Sequence, residues 1–148
     1  MVRLMVCLDS SEDAHKVFEH CLTVVGRREK EKEHEVVLVG VAEVYHRSNI
    51  LNVLRVDFDC QILDKANKSI IKGTTEMLED FKKELERRGV KASVLVEAGD
   101  PRDTLCDVAE RVRPDLLVMG HRRTTLGLGS VALHCIEHAP SPVFIVRV

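Results

Sequence analysis

The chain has 148 residues, 45% of them hydrophobic and 31% charged, with a formal net charge of −2, as expected of one folded globular domain spanning residues 1–148. Near-neutral charge, four Phe, one Tyr and no Trp supply neither the positive field nor the stacking platforms of a nucleic-acid binder. No run approaches the roughly 18 apolar residues that cross a bilayer, and the start MVRLMVCLDSSED does not read as a signal peptide, so the expected setting is cytoplasmic, with neither membrane nor nucleic acid as partner.

Val2 to Leu8 is a short apolar run ending in Asp9-Ser10-Ser11, the pattern of a buried strand that leads to a helix cap. Ala14, Val17, Phe18, Cys21, Leu22 and Val25 recur at helical spacing and predict an amphipathic helix, with a mixed-charge solvated tail from Gly26 onward. Glu35 to Ala42 is apolar with too little alternation for a half-exposed strand, so it reads as a second buried one. His46 to Phe58 follows neither period and is open between a lid, an irregular connection and a partner contact. Leu63, Ala66, Ile70, Met77, Leu78, Phe81 and Leu85 then predict a long helix. Gly73 interrupts that pattern and could bend or break the helix, since glycine costs about 1 kcal/mol there relative to alanine. Gly89 fits the helix stop.

Ala92 to Ala98 reads as the third strand. Asp100-Pro101-Arg102-Asp103 starts a helix: Asp100 can cap, proline suits the first helical position and Asp103 complements the dipole. Leu105, Val108, Ala109 and Val112 form its apolar face, and Pro114 prevents its continuation. Leu116 to Met119 is the fourth strand, Ser130 to His138 the fourth helix and Val143 to Val148 the fifth strand. Strands alternating with helices imply an α/β fold, a doubly wound parallel sheet covered on both faces. Such sheets bind ligands beyond the carboxyl ends of the strands, which here are Asp9, Val41-Ala42 and Gly120 onward. The last strand has no helix after it in the sequence, so it is expected to be an apolar edge through which a two-fold homodimer could form.

Gly120-His121-Arg122-Arg123 and then Gly127-Leu128-Gly129-Ser130 join the fourth strand to the last helix. Glycines let an anion approach the backbone, a helix N-terminus offers unpaired N–H groups, and the two arginines add charge. Ser130 could cap the helix or donate to a phosphate. By itself the stretch is equally compatible with a plain turn and cap, because it has neither GxxxxGK[ST] nor GxGxxG spacing. His121 could touch a phosphate or simply face solvent. The cysteines at 7, 21, 60, 106 and 135 include no CxxC pair and read as reduced core thiols, with a redox-sensing thiol as the alternative. His134 and His138 lack the glutamate of HExxH and read as surface histidines, and Asp57, Asp59 and Asp64 decorate a helix start. No catalytic residue and no metal ligand is expected, there being no arguable Ser-His-Asp, Cys-His or paired-acid arrangement.

Taken in order, Asp9-Ser10-Ser11, Gly99-Asp100-Pro101, Pro114-Asp115-Leu-Leu-Val-Met-Gly120-His121-Arg122, Gly129-Ser130-Val131 and His138-Ala-Pro140-Ser-Pro142-Val143 resemble the motif set of the universal stress protein family over nearly the whole chain. The resemblance implies a five-stranded parallel sheet in the order 3-2-1-4-5, frequent dimerisation, and in a subset of members an ATP site. The loop of that subset reads G-x-x-G, nine residues, then G-[ST]. Here Arg123 replaces the second glycine and only five residues separate it from Gly129. Carried over, the resemblance puts Asp9 at the adenosine end, where its other role would be to cap the first helix. It places Val41 where backbone meets an adenine edge, or else as a plain sheet residue. Gly120 falls by the ribose, and Gly129, Ser130 and Val131 by the phosphates. With Ser11, Met119, Arg122 and Arg123 these form the expected nucleotide-binding set, for ATP, ADP or AMP, with or without Mg²⁺. The expected function is nucleotide-dependent stress signalling without turnover; the alternative is a nucleotide-free dimeric interaction module with a degenerate phosphate loop.

Overall fold

Strands and helices alternate through the computed structural model, which describes residues 1–9, 11–26, 34–44, 60–121 and 128–147. The elements are β1 (Val2–Cys7), α1 (Ala14–Gly26), β2 (His34–Ala42), α2 (Cys60–Arg87), β3 (Lys91–Ala98), α3 (Pro101–Val112), β4 (Leu116–His121), α4 (Ser130–His138) and β5 (Val143–Arg147). The strands form one parallel sheet in the order β3-β2-β1-β4-β5, as the family resemblance implied. The segment from His46 to Phe58 lies outside the described residues.

Side-chain alternation along the strands builds two cores, one on each face of the sheet. Leu4 and Val6 of β1 join Val36 and Leu38 of β2 beneath α1 (Val17, Phe18, Cys21, Leu22) and the C-terminal half of α2 (Leu78, Phe81, Leu85). Met5, Val37, Val39, Leu117 and Met119 point the other way, against α3 (Leu105, Val108, Ala109) and α4 (Ala132, Cys135). Among the described residues the buried set holds no polar or charged side chain, so its cohesion comes from apolar area removed from water.

The helix boundaries follow local chemistry. Asp100 accepts the N–H of Arg102 at 2.9 Å and Pro101 opens α3. Arg113 ends it in the left-handed conformation, φ 49°, its N–H returning to the carbonyl of Ala109 at 2.8 Å. Gly89, at φ +75°, takes the positive angle that turns the chain out of α2, where L side chains are strained.

Gly73 does not break the helix: α2 runs through it. The glycine sits on the exposed face, where a Cβ would meet nothing within 4 Å. The packing of Leu78, Phe81 and Leu85 holds the helix in register at its far end and outweighs a local propensity cost of about 1 kcal/mol. Gly73→Ala should therefore stabilise the protein by about 0.5–1 kcal/mol, chiefly by restricting the unfolded chain; urea denaturation would register this as a higher midpoint at unchanged slope.

β1 is the switch point of the sheet, with β2 on one side and β4 on the other. Cys7, its last residue, is level with Val39 and with Met119. The chain leaves these neighbouring strand ends in opposite directions, which opens a crevice between the connections.

Candidate functional site

A cavity of about 400 Å³ occupies that crevice, within the range of roughly 300–1,000 Å³ typical of small-molecule sites. Its apolar part is Leu8, Val17, Val39, Val41, Leu105 and Met119, and its polar rim is Asp9, Ser11, Asp13, Glu43 and His121. The first turn of α4 closes one side with Gly129, Ser130, Val131 and Ala132.

The structure brings eight of the ten expected site residues to this one cavity: Asp9, Ser11, Val41, Met119, Gly120, Gly129, Ser130 and Val131. The other two, Arg122 and Arg123, lie outside the described residues. The expected set omitted Asp13 and Glu43 altogether, and it omitted His121, whose neighbours it contained.

Asp9 does not cap the first helix. Its Oδ1 accepts the N–H of Ser11 at 3.0 Å and the Ser11 hydroxyl as well, forming a closed turn of the kind aspartate favours. The helix begins further on, where the Ser11 carbonyl accepts the N–H of Ala14 at 3.1 Å and the Asp13 carbonyl that of Val17 at 3.2 Å. The turn leaves the Asp9 carboxylate exposed on the cavity rim.

Gly120 has a packing reason: a Cβ there would lie 2.6 Å from Cγ2 of Val17. α1 therefore approaches the end of β4 as closely as glycine permits. Gly129 is the N-cap of α4, at φ −63° and ψ 153°, and provides no side-chain cap; Ser130 is the first helical residue and not the cap. Among the described residues no side chain caps the first-turn N–H groups, which the helix presents at the positive end of its dipole. The Gly129 N–H donates to Nδ1 of His121 at 3.4 Å, a long contact joining the two ends of the loop.

Asp9, Asp13 and Glu43 bring negative charge to the rim, and among the described lining residues His121 alone can carry a positive one. Cys7 contributes no thiolate: burial pushes its thiol far up, and the nearby Cys135 and Cys106 add to the shift. Cys135 is likewise pushed up to about 12, mainly by burial. Cys7, Cys21, Cys106 and Cys135 are free thiols, packed in or against the two cores, consistent with core residues and poorly suited to nucleophilic attack. The rings of His134 and His138 stack 4.4 Å apart, with Asp103 Oδ1 3.5 Å from His134 Nε2. Among the described residues no three His, Cys, Asp or Glu side chains gather as a metal site.

A universal stress protein of Methanocaldococcus jannaschii is 37% identical, over 98% of this chain and 81% of its own length. A universal stress protein A-like protein of Arabidopsis thaliana is 35% identical over 48% of this chain, the match spanning 43% of that protein. Among solved structures, an Arabidopsis thaliana universal stress protein family protein with AMP bound superposes with TM-score 0.69 at 24% identity, covering 99% of this chain and 92% of that one. A universal stress protein in complex with cAMP superposes with TM-score 0.60 at 18% identity, covering 99% and 96%. The sequence profile of the Universal stress protein family matches residues 1–147, so the chain belongs to that family.

Proposed function

We propose that this cavity binds an adenine nucleotide, taking the monophosphate at least as well as the triphosphate, and that the protein signals by being occupied or empty, without turning its ligand over. The observation that carries the reading is the meeting, around one cavity, of uncapped amides of α4, the Asp9 carboxylate and the end of β2 at Val41. Adenine would lie against Val39, Val41 and Met119 with a backbone group of Val41 at its edge. Asp9 would accept hydrogen bonds from a hydroxyl or amino group of the nucleoside, and Gly129, Ser130 and Val131 would receive the phosphate. Arg122 and Arg123 would add charge to the same end.

The preference for a short phosphate chain rests on the loop, in which five residues separate Arg123 from Gly129, and on three carboxylates along the rim. It agrees with AMP and cAMP in two proteins of the same fold. Mg²⁺ has no preformed seat among the described residues and would enter only as the nucleotide's own counter-ion. A protonated Cys7 argues for binding over covalent chemistry. The reduced thiols fit a cytoplasmic setting, and no helix among the described residues is long and apolar enough to cross a membrane.

Calorimetric titration with adenosine, AMP, ADP and ATP tests the reading. AMP should give a saturable heat with affinity no weaker than that of ATP; no heat from any of the four at millimolar concentration would overturn it.

A second, compatible reading is a homodimer through β5. Phe144 on this edge strand is 42% exposed, and Leu133 and Ile136 on the preceding helix are each 45% exposed. An apolar edge of this kind favours pairing with a second copy. Sedimentation velocity at tens of micromolar should give a dimer that Phe144→Glu converts to monomer; a wild-type monomer would reject this reading.

A further inference from the structure

We propose that His121 and Gly129 form a proton-operated anion seat, which makes the site bind a phosphate more tightly as the pH falls. The inference rests on the nucleotide reading for its natural ligand, but the seat itself is a property of two residues.

The contact defines the proton positions. Gly129 N–H donates to Nδ1 of His121 at 3.4 Å, and a ring nitrogen that accepts a hydrogen bond carries no proton of its own. The first amide of the phosphate end is then already satisfied by a neutral acceptor. When the imidazole takes up a second proton, Nδ1 becomes a donor and can no longer accept from Gly129. Two N–H groups then face each other across the loop, an arrangement that is unfavourable until an acceptor comes between them. A phosphate oxygen is such an acceptor: it takes one hydrogen bond from Gly129 and a charge-assisted one from His121. The proton thus converts a self-satisfied contact into a two-donor seat on the positive end of α4.

The surroundings give this proton weight. Asp9 at the end of β1, Asp13 in the turn into α1 and Glu43 after β2 line the same cavity, and on β5 the register partner of His121 is Arg147. The first turn of α4 brings no charged side chain. A phosphate entering the described cavity therefore meets three carboxylates, and among the described lining residues His121 is the side chain able to offset them, beside the charge that Arg122 and Arg123 would add.

Two measurements on wild type and His121→Asn test the proposal. Asparagine keeps an oxygen to accept the Gly129 N–H but cannot take up a proton near neutral pH. The first measurement follows the Gly129 amide by NMR during titration with sulfate, an anion that stays fully ionised, at pH 6.0 and 8.0. In wild type, sulfate should bind roughly tenfold more tightly at the lower pH; in His121→Asn the two pH values should differ far less. The second is calorimetry with AMP and adenosine at the same pH values. The ratio of AMP to adenosine affinity should rise toward low pH more in wild type than in the variant, which also reports the titration of AMP itself. Equal pH dependence of sulfate binding in the two proteins would overturn the seat, even if AMP binds. Tighter sulfate binding at low pH in wild type alone, with no AMP heat, would uphold the seat and reject the nucleotide reading.

Discussion

Gly129→Glu is expected to abolish phosphate-dependent binding and to leave the fold intact. Two features of the position separate these effects. The backbone at Gly129, φ −63° and ψ 153°, is open to every L residue, and a Cβ there meets nothing within 4 Å. Among the described residues, the substitution therefore introduces no backbone strain and no clash at the Cβ. A carboxylate at a helix N-terminus also interacts favourably with the dipole, so the thermal midpoint should be unchanged or slightly raised. The same carboxylate can fold over the first-turn amides and supply in cis the oxygens that a phosphate would bring, and its charge repels the ligand. Losing a charge-assisted hydrogen bond and gaining that repulsion should weaken AMP binding by roughly a hundredfold or more, while adenosine, without a phosphate, should lose much less. Calorimetry with both ligands, beside a melting curve, makes the comparison. Wild-type AMP affinity in a normally folded variant would mean that the phosphate does not lie at α4.

The elements of this fold were legible because each carries its own period. Apolar stretches became strands, and the spacing of Leu105, Val108 and Ala109 became a helix face. Their mutual arrangement was not legible from period: nothing local pairs Leu4 with Leu116, and the strand order came from the family's motifs. The site was legible where backbone carries it, as at Gly120, Gly129 and the end of β2, because glycine-rich turns and strand ends leave a trace in sequence. Asp13 and Glu43 reach the rim only because of where β1 and β2 stop relative to β4, which is a tertiary fact, and the same fact decides between the two roles open to His121. Two local errors share a cause. Asp9 and Ser130 were both read as possible caps from residue type alone, but Asp9 spends its carboxylate on Ser11 and Ser130 sits one residue inside the helix. A cap is defined by position, and a one-residue offset removes it.

Leu78→Ala should be among the most destabilising single changes and should leave the ligand site untouched. Leu78 is 0% exposed and packs in the cluster formed by α1, α2 and one face of the sheet. α2 approaches β2 so closely here that a Cβ on Gly40 would lie 2.6 Å from Cγ2 of Thr74 and 3.0 Å from Cδ1 of Leu78. Truncation opens a void directly above strand backbone, which cannot rise to fill it while the sheet hydrogen bonds hold. Burial of this kind costs about 2–5 kcal/mol when lost, a large part of the 5–15 kcal/mol or so that a domain has in total. The urea midpoint should fall with no change in slope, and the melting temperature by roughly 5–15 °C. Because Leu78 does not line the cavity, AMP affinity measured well below the new melting point should equal that of wild type. The variant is thus the counterpart of Gly129→Glu, one losing stability and keeping the ligand, the other the reverse. A loss under about 1 kcal/mol would mean that neighbouring side chains can collapse into the space and that the close contact at Gly40 is not what seats α2 on the sheet.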